Sequence, residues 1–196
     1  MRTVAIVSLA VLAAACAAPS APVRVTRFHL DAPIDRVAVA VAADPSTSNV
    51  AGLEAALYER AIAAELAAQG FGTGGGAGGG EPLLASFSVT RTLREIEPPR
   101  SPVTIGIGGG SFGGGVGGGG SLAFGVGKKR GREAYVTELA VQLRRRPAGE
   151  VVWEGRAQTS ADTRAPEAQP EATARKLSRA LFQGFPGESG RTISVR

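Results

Sequence analysis

The sequence has almost none of the side chains that build disulfides, metal centres or proton relays. Its 196 residues include one cysteine, one histidine, one methionine and one tryptophan. A lone cysteine cannot pair within its own chain, which excludes a disulfide scaffold. A finger-type zinc site draws four ligands from Cys and His, and the pool here holds two. Aromatic residues make up only 5% of the chain. Glycine, by contrast, fills 28 positions, and 43% of residues are hydrophobic. The formal charge is +5, with a pI near 10.1. The length suits one modest domain better than two. Neither a metal nor a cofactor is expected.

The one cysteine has a telling position. Met1-Arg2 brings a positive charge, and Thr3 to Ala15 is uncharged and almost wholly apolar. That is the length of a signal-peptide core, too short to span a membrane as a permanent helix. It ends in Ala13-Ala14-Ala15-Cys16, which resembles the lipobox of bacterial lipoproteins. In that family a diacylglyceryl group is attached to the cysteine thiol and the chain is cut just before it. Residues 1–15 are then the signal peptide and Cys16 the lipid attachment site. The family usually has Leu three places before the cysteine, where this chain has Ala13, with Leu12 one place earlier. Ordinary cleavage at an A-x-A site, which Ala13-Ala14-Ala15 also provides, therefore stays open. Ala17 follows the cysteine, with no Asp there; resemblance to enterobacterial sorting then implies the outer membrane, facing the periplasm. Residues 16–22 are small and Pro-bearing and read as a lipid-proximal tether.

The remainder, 23–196, reads as a single α+β domain. Val23 to Phe28 alternates loosely and predicts a first strand. Arg36 to Ala42 is apolar on both faces, with Val37, Val39 and Val41 on one of them, which predicts a central strand. Asp44 to Asn49 is a turn cluster. Val50 to Gln69 predicts a helix from Leu53, Leu57, Ile62 and Leu66, capped by Gly70. Ala85, Phe87, Val89 and Leu93 alternate with Ser and Thr, the signature of a half-buried strand. Glu133 to Arg145 alternates likewise, and with Glu150 to Ala157 it predicts a hairpin across Arg146-Pro147-Ala148-Gly149. Pro166 to Gly184 predicts a second helix with Ala174, Leu177, Leu181 and Phe185 inward. Thr192 to Arg196 is left as a short strand or a tail. The expected architecture is a mostly antiparallel sheet of four to five strands with two helices packed on one face, plus a Gly-rich insertion at 101–127.

The order of motifs resembles the DUF4136 group of bacterial envelope lipoproteins. The features are a lipobox, a Val-rich strand, a helix ending in Gly70-Phe71, and a glycine-rich insert. Next come Tyr135 leading Y-x-x-x-L-x-V-x-L, then Val151-Val152-Trp153-Glu154-Gly155, and a last helix closing on Phe185-Pro186. The resemblance implies a periplasm-facing α+β domain and no assigned reaction.

Two catalytic patterns fall inside the glycine tract. Gly109-Gly-Ser111-Phe-Gly113 matches the nucleophile elbow G-x-S-x-G, which needs a helix after it and a His downstream. A glycine run follows instead, and the only histidine, His29, lies upstream. Gly108-x-Gly110-x-x-Gly113 matches the dinucleotide fingerprint, which needs the same missing helix. Chance in a tract of 13 glycines among 27 residues accounts for both. That tract, Ser101 to Gly127, carries no charge. Three readings fit it: a disordered loop, an extended hairpin with Val103, Ile105 and Ile107 facing Leu122, Phe124 and Val126, or a glycine-zipper span through Gly110, Gly114 and Gly118. Lys128-Lys129-Arg130-Gly131-Arg132 and Arg144-Arg145-Arg146 are solvated basic clusters first, and contacts for anionic lipid second. An exported chain has little occasion to meet nucleic acid. The expected function is that of an outer-membrane-anchored periplasmic lipoprotein, a structural or partner-binding module without catalysis. The membrane is its partner through the N-terminal lipid, with another envelope protein or anionic lipid as further partners. A lipid-anchored serine hydrolase using Ser111 and a membrane-inserting zipper protein are the competing classes.

Overall fold

The computed structural model describes residues 21–30, 32–74, 80–96 and 132–196. Chain order is β1 (Val23–His29), β2 (Ala38–Ala43), α1 (Gly52–Ala68), β3 (Gly72–Thr73), β4 (Leu83–Ile96), β5 (Arg132–Arg145), β6 (Glu150–Asp162), a single 3-10 turn (Pro166–Ala168), α2 (Pro170–Phe182) and β7 (Thr192–Val195). The mixed α+β class and the mostly antiparallel sheet are as expected. The strand count is not: seven strands form one sheet in the order β3-β2-β4-β5-β6-β1-β7. The additions are the two-residue β3, too short to show alternation, and the four-residue β7, the strand alternative offered for Thr192 to Arg196. Each sits at an edge, where a brief strand limits stray pairing with other chains.

Alternation decides the faces. Ala85, Phe87 and Val89 of β4 and Leu139, Val141 and Leu143 of β5 are buried on the face that carries α1 and α2. The opposite face is polar along its middle, with Ser86, Ser88, Glu138 and Gln142. Rung by rung, Phe87 lies opposite Val141 and Val89 opposite Leu139, and the β4–β5 ladder runs unbroken from Leu83↔Arg145 to Ile96↔Arg132. The β5–β6 hairpin is present, with a register shift at Leu143/Arg144 that lets Val152 and Trp153 both bury.

Several expectations need correction. β2 is not central: it pairs with β4, in parallel, and its other edge meets only β3 at Ala38 and Val39. Its double-sided apolar pattern comes instead from α1 on one face and buried Ala40 on the other. Val37 lies before the strand and is 36% exposed. On α1 the inward stripe is Tyr58, Ile62 and Leu66, and Leu53 is 90% exposed. Leu53 stands five positions, about 140° round the helix, from Tyr58 and so faces solvent. Leu93 has the right parity but is 52% exposed, because β4 and β5 outrun the helices. The second helix proper starts at Pro170, after the 3-10 turn. The glycine tract, with Ser111 and Lys128 to Arg130, and the signal, Cys16 and tether up to Ser20 lie outside the described residues.

Candidate functional site

Two local arrangements hold the polar and aromatic residues that the sequence singles out. The first is the corner built on Trp153. It is fully buried, stacks on Phe182 at 5.4 Å between ring centroids, and meets Phe185 at 5.1 Å. Its Nε1–H donates to the carbonyl of Pro186 at 3.0 Å. Two residues on, Gly155 leaves room for the ring. A Cβ there would stand 2.4 Å from Trp153 Cη2 and 2.8 Å from Leu181 Cδ1. The V-W-x-G and F-P motifs are therefore halves of one packing unit that fixes the end of α2 to β6.

Arg27 completes this corner. It follows Val23 and Val25 on the apolar face of β1 and is 4% exposed. Its Nε donates to Leu181 O at 2.9 Å, and Nη2 donates to Ala180 O at 2.9 Å and Gln183 O at 3.0 Å. These are carbonyls at the C-terminal end of α2, which lack partners within the helix and carry its negative dipole end. Burial lowers the Arg27 pKa below its ordinary value. His29 has Nε2 within 3.0 Å of Gly187 O and Nδ1 within 3.1 Å of Leu30 O, so the only histidine helps tie β1 to the turn after α2.

The second arrangement is centred on Arg91, at the other end of the helices. Arg91 continues the buried parity of Phe87 and Val89. Its Nη1 donates to Glu54 Oε1 at 3.1 Å, its Nη2 donates to Ala168 O at 2.7 Å, and its guanidinium lies 3.9 Å from the Tyr135 ring centroid. Asn49 grips the same residue's backbone, with Arg91 N–H donating to Oδ1 and Nδ2 donating to Arg91 O, both at 2.8 Å. One side chain thus joins β4, β5, the first turn of α1 and the 3-10 turn before α2. An open cleft of about 500 Å³ lies over it, lined by Asn49, Glu54, Arg91, Tyr135, Thr163 and Gln169. Tyr58 is fully buried, with a hydroxyl that has no hydrogen-bond partner. Burial, reinforced by Glu54, raises its pKa well above the ordinary tyrosine value. Helical side chains lean toward the N-terminus, which carries Tyr58 toward Glu54 one turn earlier.

This set can bridge and bind; it does not pair a nucleophile with a base. Among the described residues no group of three or more His, Cys, Asp or Glu side chains gathers as a metal site. Nor is any described helix long and apolar enough to cross a membrane. The basic cluster at Arg144 to Arg146 has its charges engaged. Arg144 donates to Gln142, and Arg145 lies 3.5 Å from Glu150. Asp44 and Asp162 sit in turns. Asp44 accepts from the hydroxyl and backbone N–H of Ser46, which lowers its pKa. Asp162 is lowered by the backbone N–H of Arg164 and, less, by Arg132. Sequence reasoning passed over Arg27, Arg91 and Tyr58. A signal for the two arginines was present, since each continues an apolar alternation with a charge.

Comparison with known proteins adds a family and little chemistry. Residues 36–187 match the family model described as a domain of unknown function, DUF4136. A stretch of 60 residues, 31% of this chain, is 43% identical to an uncharacterized protein of Zymomonas mobilis, and spans only 23% of that protein's length. A PelC dodecamer from Paraburkholderia phytofirmans is similar over 85% of this chain and 99% of its own, at 15% identity and a TM-score of 0.44. A PDZ domain protein from Parabacteroides distasonis is similar over 89% of this chain and 39% of its own, at 11% identity and a TM-score of 0.44.

Proposed function

The chain belongs to the DUF4136 family, described only as a domain of unknown function, and from that premise we propose that it is a lipoprotein of the bacterial outer membrane. Lipid on Cys16 holds it there, and its single periplasmic domain acts as a structural or partner-binding module without catalysis. The observation that carries this reading is the placement of the only cysteine, directly after the apolar leader. The fold is compatible with a short tether. The Ala21 carbonyl accepts from Lys176 Nζ at 2.6 Å, so the chain is fastened to α2 as soon as it reaches the domain. Partial burial lowers the Lys176 pKa below the ordinary lysine value. Several acyl chains on one cysteine, at roughly 0.8 kcal/mol per buried methylene, hold far more firmly than one.

The partners proposed with it are the membrane itself and either another envelope protein or anionic lipid; nucleic acid is not among them. The arrangement of the named motifs agrees with a structural role. Trp153, Gly155 and Phe185-Pro186 are spent on packing, and Arg91 on joining elements. Metabolic labelling with palmitate tests the anchor. The wild-type protein is expected to carry the label and stay with membranes, and Cys16→Ser to lose both. Unlabelled wild type found in the soluble fraction would overturn the reading.

A further inference from the structure

We propose that the cleft over Arg91 is a binding site for a neutral carbohydrate, a stretch of one or two pyranose rings. The proposal does not depend on the anchor at Cys16; it gives the domain a ligand. It starts from polar groups that the fold buries without satisfying. Among the described residues four buried side-chain atoms have no hydrogen-bond partner, and two of them, Tyr58 Oη and Arg91 Nε, belong to this one arrangement. An unmet buried donor costs free energy in the fold alone, so two in one place call for a reason beyond packing. Both neighbour the Glu54–Arg91 pair, and they offer it alternative partners when a ligand takes one of its bonds. The cleft, about 500 Å³ and open to solvent, is assembled from the turn before α1, the first turn of α1, β4, β5 and the segment between β6 and α2. That size is ample for a disaccharide.

Charge decides what the ligand is not. Arg91 and Glu54 neutralise each other at 3.1 Å. The first turn of each helix carries its own acid, Glu54 in α1 and Glu171 in α2, which offsets the positive dipole end. Just past the lining residues, Arg132 is paired with Asp162, and Arg164 and Glu167 follow with opposite signs. An anion and a cation each meet as much repulsion as attraction. An apolar ligand would strip water from Arg91, Glu54 and Thr163 and return no hydrogen bonds. A sugar answers both problems. Glu54 gives Oε1 to Arg91 and keeps Oε2 to accept, so carboxylate and guanidinium stand side by side for vicinal hydroxyls. Among the described residues nothing engages the Thr163 hydroxyl or the Gln169 side-chain amide, and each both donates and accepts. Val50, Pro170 and the ring of Tyr135 supply apolar surface for the C–H face of a pyranose. Arg91, 3.9 Å from the Tyr135 centroid, holds that ring in place.

The test titrates the full isotope-labelled protein, in a detergent without a sugar headgroup, and follows backbone amides by NMR. Two probes distinguish the sources of such a ligand: N,N′-diacetylchitobiose for amino-sugar strands and maltose for plain glucans. At least one is expected to shift the amides of Asn49, Thr163 and Gln169 and to saturate in the millimolar range, while sodium acetate shifts none of them. Thr163→Val and Gln169→Ala should each weaken that binding on the order of fivefold, the worth of one hydrogen bond, with the urea midpoint unchanged. Gln142→Ala, on the opposite face of the sheet, should leave it as it was. Silence with both disaccharides, shifts confined to the opposite face, or equal shifts with acetate would overturn the site. None of those results bears on lipid at Cys16, which the palmitate label decides separately.

Discussion

Gly155 shows how much one missing methyl can specify. With a Cβ it would press into Trp153 and Leu181 at 2.4 and 2.8 Å, so the ring, the helix end or the strand would have to move. Overpacking of this kind costs about 1–3 kcal/mol. Gly155→Ala is expected to lower the urea midpoint accordingly, and an unchanged midpoint would show that the Trp153 corner is looser than described. Arg27 is the second single-residue test. Its replacement by Ala strands carbonyls at the end of α2, with an expected loss of about 3 kcal/mol. Lysine should restore little, because a single ammonium cannot reproduce the guanidinium fork that reaches Leu181, Ala180 and Gln183. Asp162 offers a pH test. Its pKa is held below 3.8 in the fold, so its stabilisation is complete above that value and is lost as pH falls through the lowered one. The stability gap between wild type and Asp162→Asn should be constant near neutrality and close as the pH drops below about 4.

At the scale of elements, the β4–β5 hairpin and the insertion it carries ought to be separable. Ile96 and Arg132 lie directly opposite each other, so a two-residue Asn-Gly turn can join the strands where residues 97–131 now intervene. That replacement is expected to leave the unfolding midpoint unchanged while weakening binding to anionic vesicles. A large loss of stability would mean that the insertion is part of the core. The elements also show what the sequence could reveal. Long strands with strict alternation, such as Tyr135 to Leu143, can be read directly, because every second side chain meets the same helices. β3 could not be read, since two residues, Gly72 and Thr73, carry no period. Leu53 misled because the helix is apolar on more than one face, so its spacing to Leu57 does not decide which face turns inward. Leu93 has the right parity, but burial also depends on how far the partner element extends, and that is set by packing across the domain.

The whole molecule places its address and its fold in different parts of the chain. The fold belongs to the apolar stripes and the Trp153 corner, and the family match over residues 36–187 covers most of both, all but the part that β1 supplies. The candidate chemistry was harder to read, because Arg27 and Arg91 act by joining segments more than a hundred and about forty residues apart, contacts that local pattern does not encode. The proposed attachment depends instead on Cys16 and the fifteen residues before it. The most direct test is the intact mass of the protein purified from native membranes. Lipoprotein processing predicts a chain that begins at Cys16 and carries the added mass of its acyl groups. A mass matching an unmodified chain, starting at Met1 or just past an ordinary signal cleavage, would contradict it.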